Sequence, residues 1–171
     1  RLRLENEFNI LYQLKKININ IVPKPILKNK KFNVGIYSWI DGKTILVPNI
    51  NEINYLINFI KKLKDISNQK IIKANLASEA CLSGKELIDQ IDLRINKIKL
   101  LKNKRLETFL KKNYIPLWNN LKKNHFKKWP GSSRNRNLDK KNLILSPSDF
   151  GIHNTLKKNK KLYFFDFEYF G

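Results

Sequence analysis

The chain of 171 residues is predicted to adopt an α+β fold. Apolar residues recur at helical spacing near its start and again through its middle, which indicates amphipathic helices. Short apolar runs separated by polar turns occur between residues 25 and 40 and again between residues 143 and 165, which indicates small groups of strands. Long helical segments combined with a few short strands favour the α+β class.

The first elements are a helix and a pair of strands. Residues 4–14 carry an apolar stripe of helical period, and the Val-Pro-Lys-Pro segment at residues 22–25 then prevents helix continuation. Residues 25–27 and 34–40 are predicted strands joined by a polar turn, and Asp41-Gly42 is predicted to end this sheet.

The middle of the chain is predicted to be helical. Asn49 and Glu52 have the spacing of a capping box, and so do Ser83 and Glu86, so each pair predicts a helix start. A third amphipathic stretch covers residues 105–123, with an interruption expected at its proline, and residues 130–137 are expected to form a polar, flexible loop. The second helix has four apolar positions that are expected to face inward: Leu87, Ile91, Ile95 and Ile98.

Charge is the most unusual property of the composition. The chain has 35 Lys and Arg against 14 Asp and Glu, a formal net charge of +21. A polyanionic partner would explain this charge, so a nucleic-acid-binding domain is one alternative. However, the lysines are scattered in pairs along the chain, and no zinc-finger spacing or glycine-rich aromatic RNA motif is present. Solvated basic faces are therefore the preferred interpretation, with no specific nucleic acid as partner.

The single cysteine, Cys81, excludes an internal disulfide framework and favours a reducing compartment, so a cytoplasmic location is expected. No apolar run is long enough to span a membrane. His125 has no companion at metal-ligand spacing, which argues against zinc.

The segment most informative about function is LILSPSDFGIHNTLKKNKKLYFFDFEYFG, residues 143–171. Asp149 follows the apolar run 143–145, Asn154 stands five residues later, and Asp166 ends the apolar run 162–165. Strands over both runs would bring two carboxylates and one carboxamide to the same sheet edge. Such hard oxygen ligands suit magnesium and phosphate chemistry. The alternative is a surface turn in which Asp and Asn serve only as turn formers.

These residues resemble the small-molecule kinases of the aminoglycoside phosphotransferase and choline/ethanolamine kinase group. The signature of that group is His-x-Asp-x-x-x-x-Asn followed by a hydrophobic strand that ends in Asp, and residues 166–171 (DFEYFG) resemble the Asp-aromatic-Glu-Tyr-x-Gly of choline and ethanolamine kinases. One position departs from the signature, because Pro147 stands where the group has its His. The resemblance implies a protein-kinase-like two-lobe fold.

The resemblance also implies roles for the three polar residues. Asp149 would be the catalytic residue that orients an acceptor hydroxyl, while Asn154 and Asp166 would be ligands of Mg²⁺. Glu168 has two open interpretations: it faces the metal or the cationic end of a substrate, or it forms a salt bridge where the strand ends. His153, beside Asn154, is expected to be a loop residue without a catalytic role.

Residues 37–42 (YSWIDG) resemble the hinge between the two kinase lobes. The resemblance implies that the Ser38 carbonyl and the Ile40 amide bind the adenine of ATP. Glu7 corresponds to the helix glutamate that pairs with a phosphate-binding lysine, and Glu5 is a rival for that role.

Residues 1–41 are thus expected to be part of an N-lobe, with a helix, two strands and the hinge, and residues 42–171 part of a C-lobe. No glycine-rich phosphate loop and no strand lysine precede Arg1, so the chain is expected to be a piece of a larger protein, or else a degenerate relative of these kinases. The implied activity is ATP-dependent phosphoryl transfer to a hydroxyl of a sugar, amino alcohol or aminoglycoside, with ATP and Mg²⁺ as cofactors. A kinase-like scaffold without turnover is the alternative.

Overall fold

A computed structural model describes residues 2–77 and 80–171 and confirms the α+β class. About half of the residues are helical, and the strands form two small antiparallel sheets. The chain divides into two compact units, one made of the residues up to 80 together with residues 141–171, the other of residues 81–140. The lobe boundary predicted at residues 41 and 42 lies inside the first unit and stays a prediction.

The first unit begins with helix α1 (Leu2–Lys16), followed by strands β1 (Pro25–Asn29) and β2 (Val34–Tyr37). The predicted helix and strand pair are confirmed, although β1 is longer and β2 shorter than expected. The two strands pair antiparallel, with an irregularity between Pro25 and Leu27. Proline has no N–H to donate to the ladder, which accounts for the irregularity at that end.

A second, three-stranded sheet has the order β3-β4-β5, with β3 at Lys43–Thr44, β4 at Thr155–Lys158 and β5 at Lys161–Phe164. No local pattern predicts β3, which follows directly on the Asp41-Gly42 segment expected to end the strands. Two residues are too few to show a period of two, so only the pairing with β4 reveals this strand.

The turn between β4 and β5 consists of Asn159 and Lys160, whose φ angles are +49° and +64°. Positive φ at both central residues is the conformation of a type I′ turn, whose twist matches that of the two strands it joins. This turn fixes the register of the hairpin, in which Thr155 pairs with Phe164.

Helix α2 (Ile50–Asn68) begins at the predicted capping box. The Asn49 side chain accepts a hydrogen bond from the Glu52 amide at 3.1 Å, and the Glu52 side chain accepts one from the Asn49 amide at 2.9 Å. Glu52 also binds Lys157 of β4, with 2.6 Å between Nζ and Oε1. This ion pair, which lowers the pKa of Glu52, connects the start of α2 to the second sheet.

The core of the first unit is formed by α1, α2, β5 and the segment after β5. Four phenylalanines dominate it, and the Phe59 ring of α2 stacks on the Phe164 ring of β5 with 4.5 Å between centroids. Burial of these side chains is the main stabilising contribution in this unit. The buried apolar residues are Ile10, Leu11, Leu14, Ile19, Val22, Phe59, Leu63, Ile66, Ile72, Leu145, Leu162, Phe164, Phe167 and Phe170.

The prediction of a strand at residues 143–145 is wrong, because this segment belongs to neither sheet. Its backbone groups have other partners: the Leu145 amide donates to Ser67 Oγ of α2 at 2.7 Å. The apolar run reflects burial of Leu145 against α2 and β5, not strand pairing.

The second unit consists of helices α3 (Gly84–Lys99), α4 (Lys104–Phe109), α5 (Ile115–Lys128) and the short α6 (Gly131–Arg134). The Ser83 side chain caps α3 as predicted, but the Glu86 side chain accepts from the Leu82 amide and so does not complete a capping box. The flexible loop expected over residues 130–137 is partly helical, since α6 lies within it.

The third amphipathic stretch is not interrupted at its proline. A π-helical turn (Leu110–Tyr114) joins α4 to α5, and the Ile115 amide donates to the Leu110 carbonyl five residues earlier. Pro116 lies in the first turn of α5, where its missing N–H costs least.

The inward-facing stripe predicted for α3 is only partly correct. Ile95 is buried, whereas Leu87 and Ile98 are exposed. Gly84, at the start of α3, lies against the Trp129 ring, where a Cβ atom would come within 2.0 Å of it. This close approach of backbone and indole requires glycine.

Within the described residues, 2–77 and 80–171, no helix combines the length and the apolar character that crossing a membrane requires.

Candidate functional site

The β4–β5 hairpin brings Asn154 and Asp166 together. Thr155 pairs with Phe164 at the open end of the hairpin, and the Phe165 amide donates to the Asn154 carbonyl at 3.2 Å. Asn154 immediately precedes Thr155, and Asp166 follows Phe164 after one intervening residue, Phe165. The two residues predicted as metal ligands therefore leave the same end of the sheet.

A side-chain bond joins Asn154 to Asp149. Asn154 Nδ2 donates to the Asp149 carbonyl at 2.9 Å, across a loop that includes a 3₁₀ turn (Ile152–Asn154). Asn154 is buried, with 8% of its surface exposed, while the Asp149 side chain is 55% exposed. Because the amide nitrogen is used in this bond, Oδ1 is the end of Asn154 that can face a cation.

The loop before Asp149 is held against the segment after Asp166. Ser146 and Gly171 exchange two backbone hydrogen bonds, at 2.7 and 3.0 Å. Ser148 Oγ donates to the Tyr169 carbonyl at 2.9 Å, and Ser148 has a positive φ of 65°. These two backbone bonds and one side-chain bond hold the Asp149 loop and the segment after Asp166 together.

Asp166 is electrostatically coupled to the other carboxylates of the site. Its φ of +64° lies in the left-handed region, which Asp tolerates better than most residues. This conformation turns the chain after β5. Its pKa is raised, first by burial and then by the negative charges of Glu168 and Asp149. An acidic patch thus exists at this sheet edge in a chain whose net charge is +21.

Asp166→Asn is expected to make the protein more stable relative to wild type as pH rises. A raised carboxyl pKa in the folded state means that Asp166 contributes stability at low pH and loses it as pH rises above the ordinary value of 3.8. Asn removes this loss and tolerates the same positive φ. Urea unfolding of both proteins between pH 4 and pH 8 measures the difference between their free energies of unfolding. A constant difference across this range would contradict the coupling.

Glu7 of α1 reaches the same region. Its Oε1 accepts from the Phe167 amide at 3.3 Å, and its Oε2 accepts from the Tyr37 hydroxyl at 3.1 Å. Burial is the main cause that raises its pKa, with smaller contributions from the charges of Asp166 and Glu168. Glu7 therefore connects the end of β2 to the residue that follows Asp166.

The lysine partner implied for Glu7 is not present in the part of the chain that the structure describes. Glu5, the rival, binds Lys28 at 2.8 Å and Lys30 at 3.4 Å. Glu5 is thus held by the β1 strand and the turn that follows it, while Glu7 faces the Asp166 segment. A cofactor role for Glu7 stays a prediction.

The predicted hinge follows β2 directly. The Ser38 amide donates to the Lys24 carbonyl and Ser38 Oγ accepts from the Lys24 amide, both at 2.8 Å, so Ser38 is anchored. Across residues 2–77 and 80–171, neither the Ser38 carbonyl nor the Ile40 amide has a hydrogen-bond partner. The Ser38 carbonyl can therefore accept a hydrogen bond from a ligand and the Ile40 amide can donate one, although adenine binding there stays a prediction.

Two further side chains lie at the site. His153 Nε2 is 3.0 Å from Asp149 Oδ1. The sequence did not suggest this contact, although the two residues are only four positions apart. Glu168 Oε1 is 3.4 Å from Arg3 Nη1 of α1, which is the salt-bridge interpretation of that residue. Tyr37, the partner of Glu7, was also missed, because the two residues lie on separate elements.

The donor set fits a magnesium ion that is shared with phosphates. No group of three or more His, Cys, Asp and Glu side chains in residues 2–77 and 80–171 is arranged to hold a metal by itself. Mg²⁺ commonly uses only one or two carboxylates and completes its shell with substrate phosphates and water. The Asn154 amide oxygen and the Asp166 carboxylate are hard donors of this type. Burial is the main cause of the raised Asp166 pKa, and the repulsion by Glu168 and Asp149 that adds to it is what a divalent cation would relieve.

Comparison with known proteins gave no relative: no family model, curated protein or solved structure matches the chain. The kinase resemblance and the roles it implies therefore stay predictions.

Proposed function

We propose that this protein is an ATP-dependent phosphotransferase that acts on a hydroxyl group of a small molecule. The observation that carries the proposal is the hydrogen bond from Asn154 Nδ2 to the Asp149 carbonyl, at the end of the hairpin that also places Asp166. A carboxylate that faces solvent, next to a carboxamide and a second carboxylate, is the arrangement that phosphoryl transfer uses.

Asp149 orients the acceptor hydroxyl and accepts its proton as the oxygen bonds to phosphorus. The side chain is more than half exposed, so an acceptor can reach it from solvent. His153 contacts Oδ1 and limits the rotation of the carboxylate. Positioning of this kind contributes to rate because the hydroxyl is held in line with the phosphoryl group.

Asn154 Oδ1 and Asp166 would hold Mg²⁺. When bound, the ion neutralises charge on the phosphates of ATP as the terminal phosphoryl group leaves. In support of this role, both residues lie at the end of the hairpin where the Phe165 amide donates to the Asn154 carbonyl.

The segment after β2 would contribute to nucleotide binding. Ser38 and Ile40 offer one backbone acceptor and one donor, the pair that an adenine edge requires. Glu7 positions Asp166 indirectly, since it accepts the amide of Phe167. Both features belong to the first unit, as does the whole proposed site.

The proposal is tested with the intact protein, ATP and Mg²⁺ against a panel of sugars, amino alcohols and aminoglycosides. Acceptor-dependent ADP release, with a phosphomonoester product detected by ³¹P NMR, is the expected result. Omission of Mg²⁺ is the control and should abolish the signal. If magnesium–ATP binds but no acceptor is phosphorylated, a kinase-like scaffold without turnover is favoured, an outcome consistent with Pro147 at the signature His position.

A further inference from the structure

The second unit contains a small cleft between the end of α3 and the π-helical turn. Its volume is about 300 Å³, at the lower end of the range for small-molecule sites. Leu110 forms its buried part, and Ile98 and Leu101 are exposed at its edge. The residues that line it are Ile98, Lys99, Leu101, Glu107, Leu110, Lys111 and Ile115.

The π turn shapes one wall of the cleft. The bond from the Ile115 amide to the Leu110 carbonyl spans five residues, one more than in an α-helix, and all three of Leu110, Lys111 and Ile115 line the cleft. Single π turns are rare within helices and are frequent at functional sites. The π turn therefore lies at the wall of the cleft, as it would at a functional site.

The charges at the edge of the cleft favour an anion. Lys99 and Lys111 line it together with one carboxylate, Glu107, which gives a local excess of one positive charge. None of these three side chains is in an ion pair with another residue in the ranges 2–77 and 80–171. The ammonium groups can thus bind a ligand without breaking an existing pair.

We propose that this cleft binds a small amphiphile with an apolar chain and a single carboxylate head. The apolar chain lies against Leu110, Ile98 and Leu101, whose surface it removes from water. The carboxylate is held by the ammonium groups of Lys99 and Lys111. This site is separate from the proposed phosphotransfer residues, which all belong to the first unit.

Three probes of equal chain length test the proposal: octanoate, octanol and octylammonium. Each is titrated into the full chain, followed by two-dimensional NMR of backbone amides. Octanoate is expected to saturate and to shift the amides of residues 98–101 and 107–115. Octanol should bind about five-fold more weakly, and octylammonium more weakly still. Equal affinity for octanoate and octylammonium, or no saturable shift with octanoate, would overturn the proposal.

Substitutions locate the two ends of the ligand. Lys111→Gln is expected to weaken octanoate binding about five-fold and leave octanol unchanged, whereas Leu101→Asn should weaken both about ten-fold. Lys123→Gln, an exposed lysine of α5 outside the cleft, is the matched control and should have no effect. A similar loss in Lys111→Gln and Lys123→Gln would show general attraction of anions to a basic protein and would sink the assignment. Leu101 and Lys111 are both exposed, so neither substitution should unfold the protein, and thermal unfolding of each variant verifies this.

Discussion

Asp149→Asn is expected to reduce the rate of phosphoryl transfer by about 10²–10⁴-fold, the usual effect of removing a general base. The amide cannot take the proton of the acceptor hydroxyl. The Asn154 bond goes to the main-chain carbonyl of Asp149, which the substitution keeps. The local backbone and the affinity for magnesium–ATP should therefore change little.

The measurement is the initial rate of transfer to the best acceptor, together with magnesium–ATP affinity from calorimetry. Asp65→Asn, an exposed aspartate of α2 in the same unit, is the control and should keep wild-type rate. Asp166→Asn provides the contrast, because loss of a metal ligand should weaken both magnesium–ATP binding and transfer. Near wild-type turnover in Asp149→Asn would remove this residue from the proposed reaction.

Phe164→Ala is expected to destabilise the first unit by about 3–5 kcal/mol, a large part of the stability of a typical domain. The ring is 1% exposed and packs against Phe59, Phe150 and Tyr55, with centroid distances of 4.5, 5.2 and 6.2 Å. Removing it leaves a cavity at the junction of α2 and β5, directly behind the Asp149 loop.

Denaturant unfolding of wild type and variant measures this loss. Phe32→Ala is the matched control, since its ring is 69% exposed in the β1–β2 turn and should contribute less than about 0.5 kcal/mol. A comparable effect from the two substitutions would mean that the stacked rings are not the main stabilising contact of the unit.

Local signals allowed the α+β class and most elements to be predicted. The capping box at Asn49 and Glu52 is a pattern complete within four residues, and it is confirmed bond by bond. The helix before residue 16 was evident because its apolar stripe has a regular period. Patterns of this kind depend on neighbours in sequence, so they can be recognised without knowledge of the fold.

Elements that depend on distant partners could not be predicted. Strand β3 exists only because Lys43 and Thr44 pair with β4, more than a hundred residues away. The run 143–145 resembled a strand because it is apolar, but its amide at Leu145 is satisfied by a serine side chain of α2. Tertiary pairing, and not propensity, decided both cases.

In the candidate site, too, local spacing could be predicted and long-range contacts could not. The spacing of Asp149 and Asn154 was visible in the sequence, whereas the Glu7 contacts with Tyr37 and with the Phe167 amide join residues up to 160 positions apart. A glutamate on a helix face carries no sign of such partners. The sequence could therefore nominate the residues of the site but not the network that holds them.

The two bonds exchanged by Ser146 and Gly171 have a consequence for local opening. Since each residue is both donor and acceptor for the other, neither segment can separate without breaking both bonds. The loop that carries Asp149 and the segment that follows Asp166 thus share one opening event. Native-state hydrogen exchange at the Ser146 and Gly171 amides is therefore expected to follow a single opening free energy.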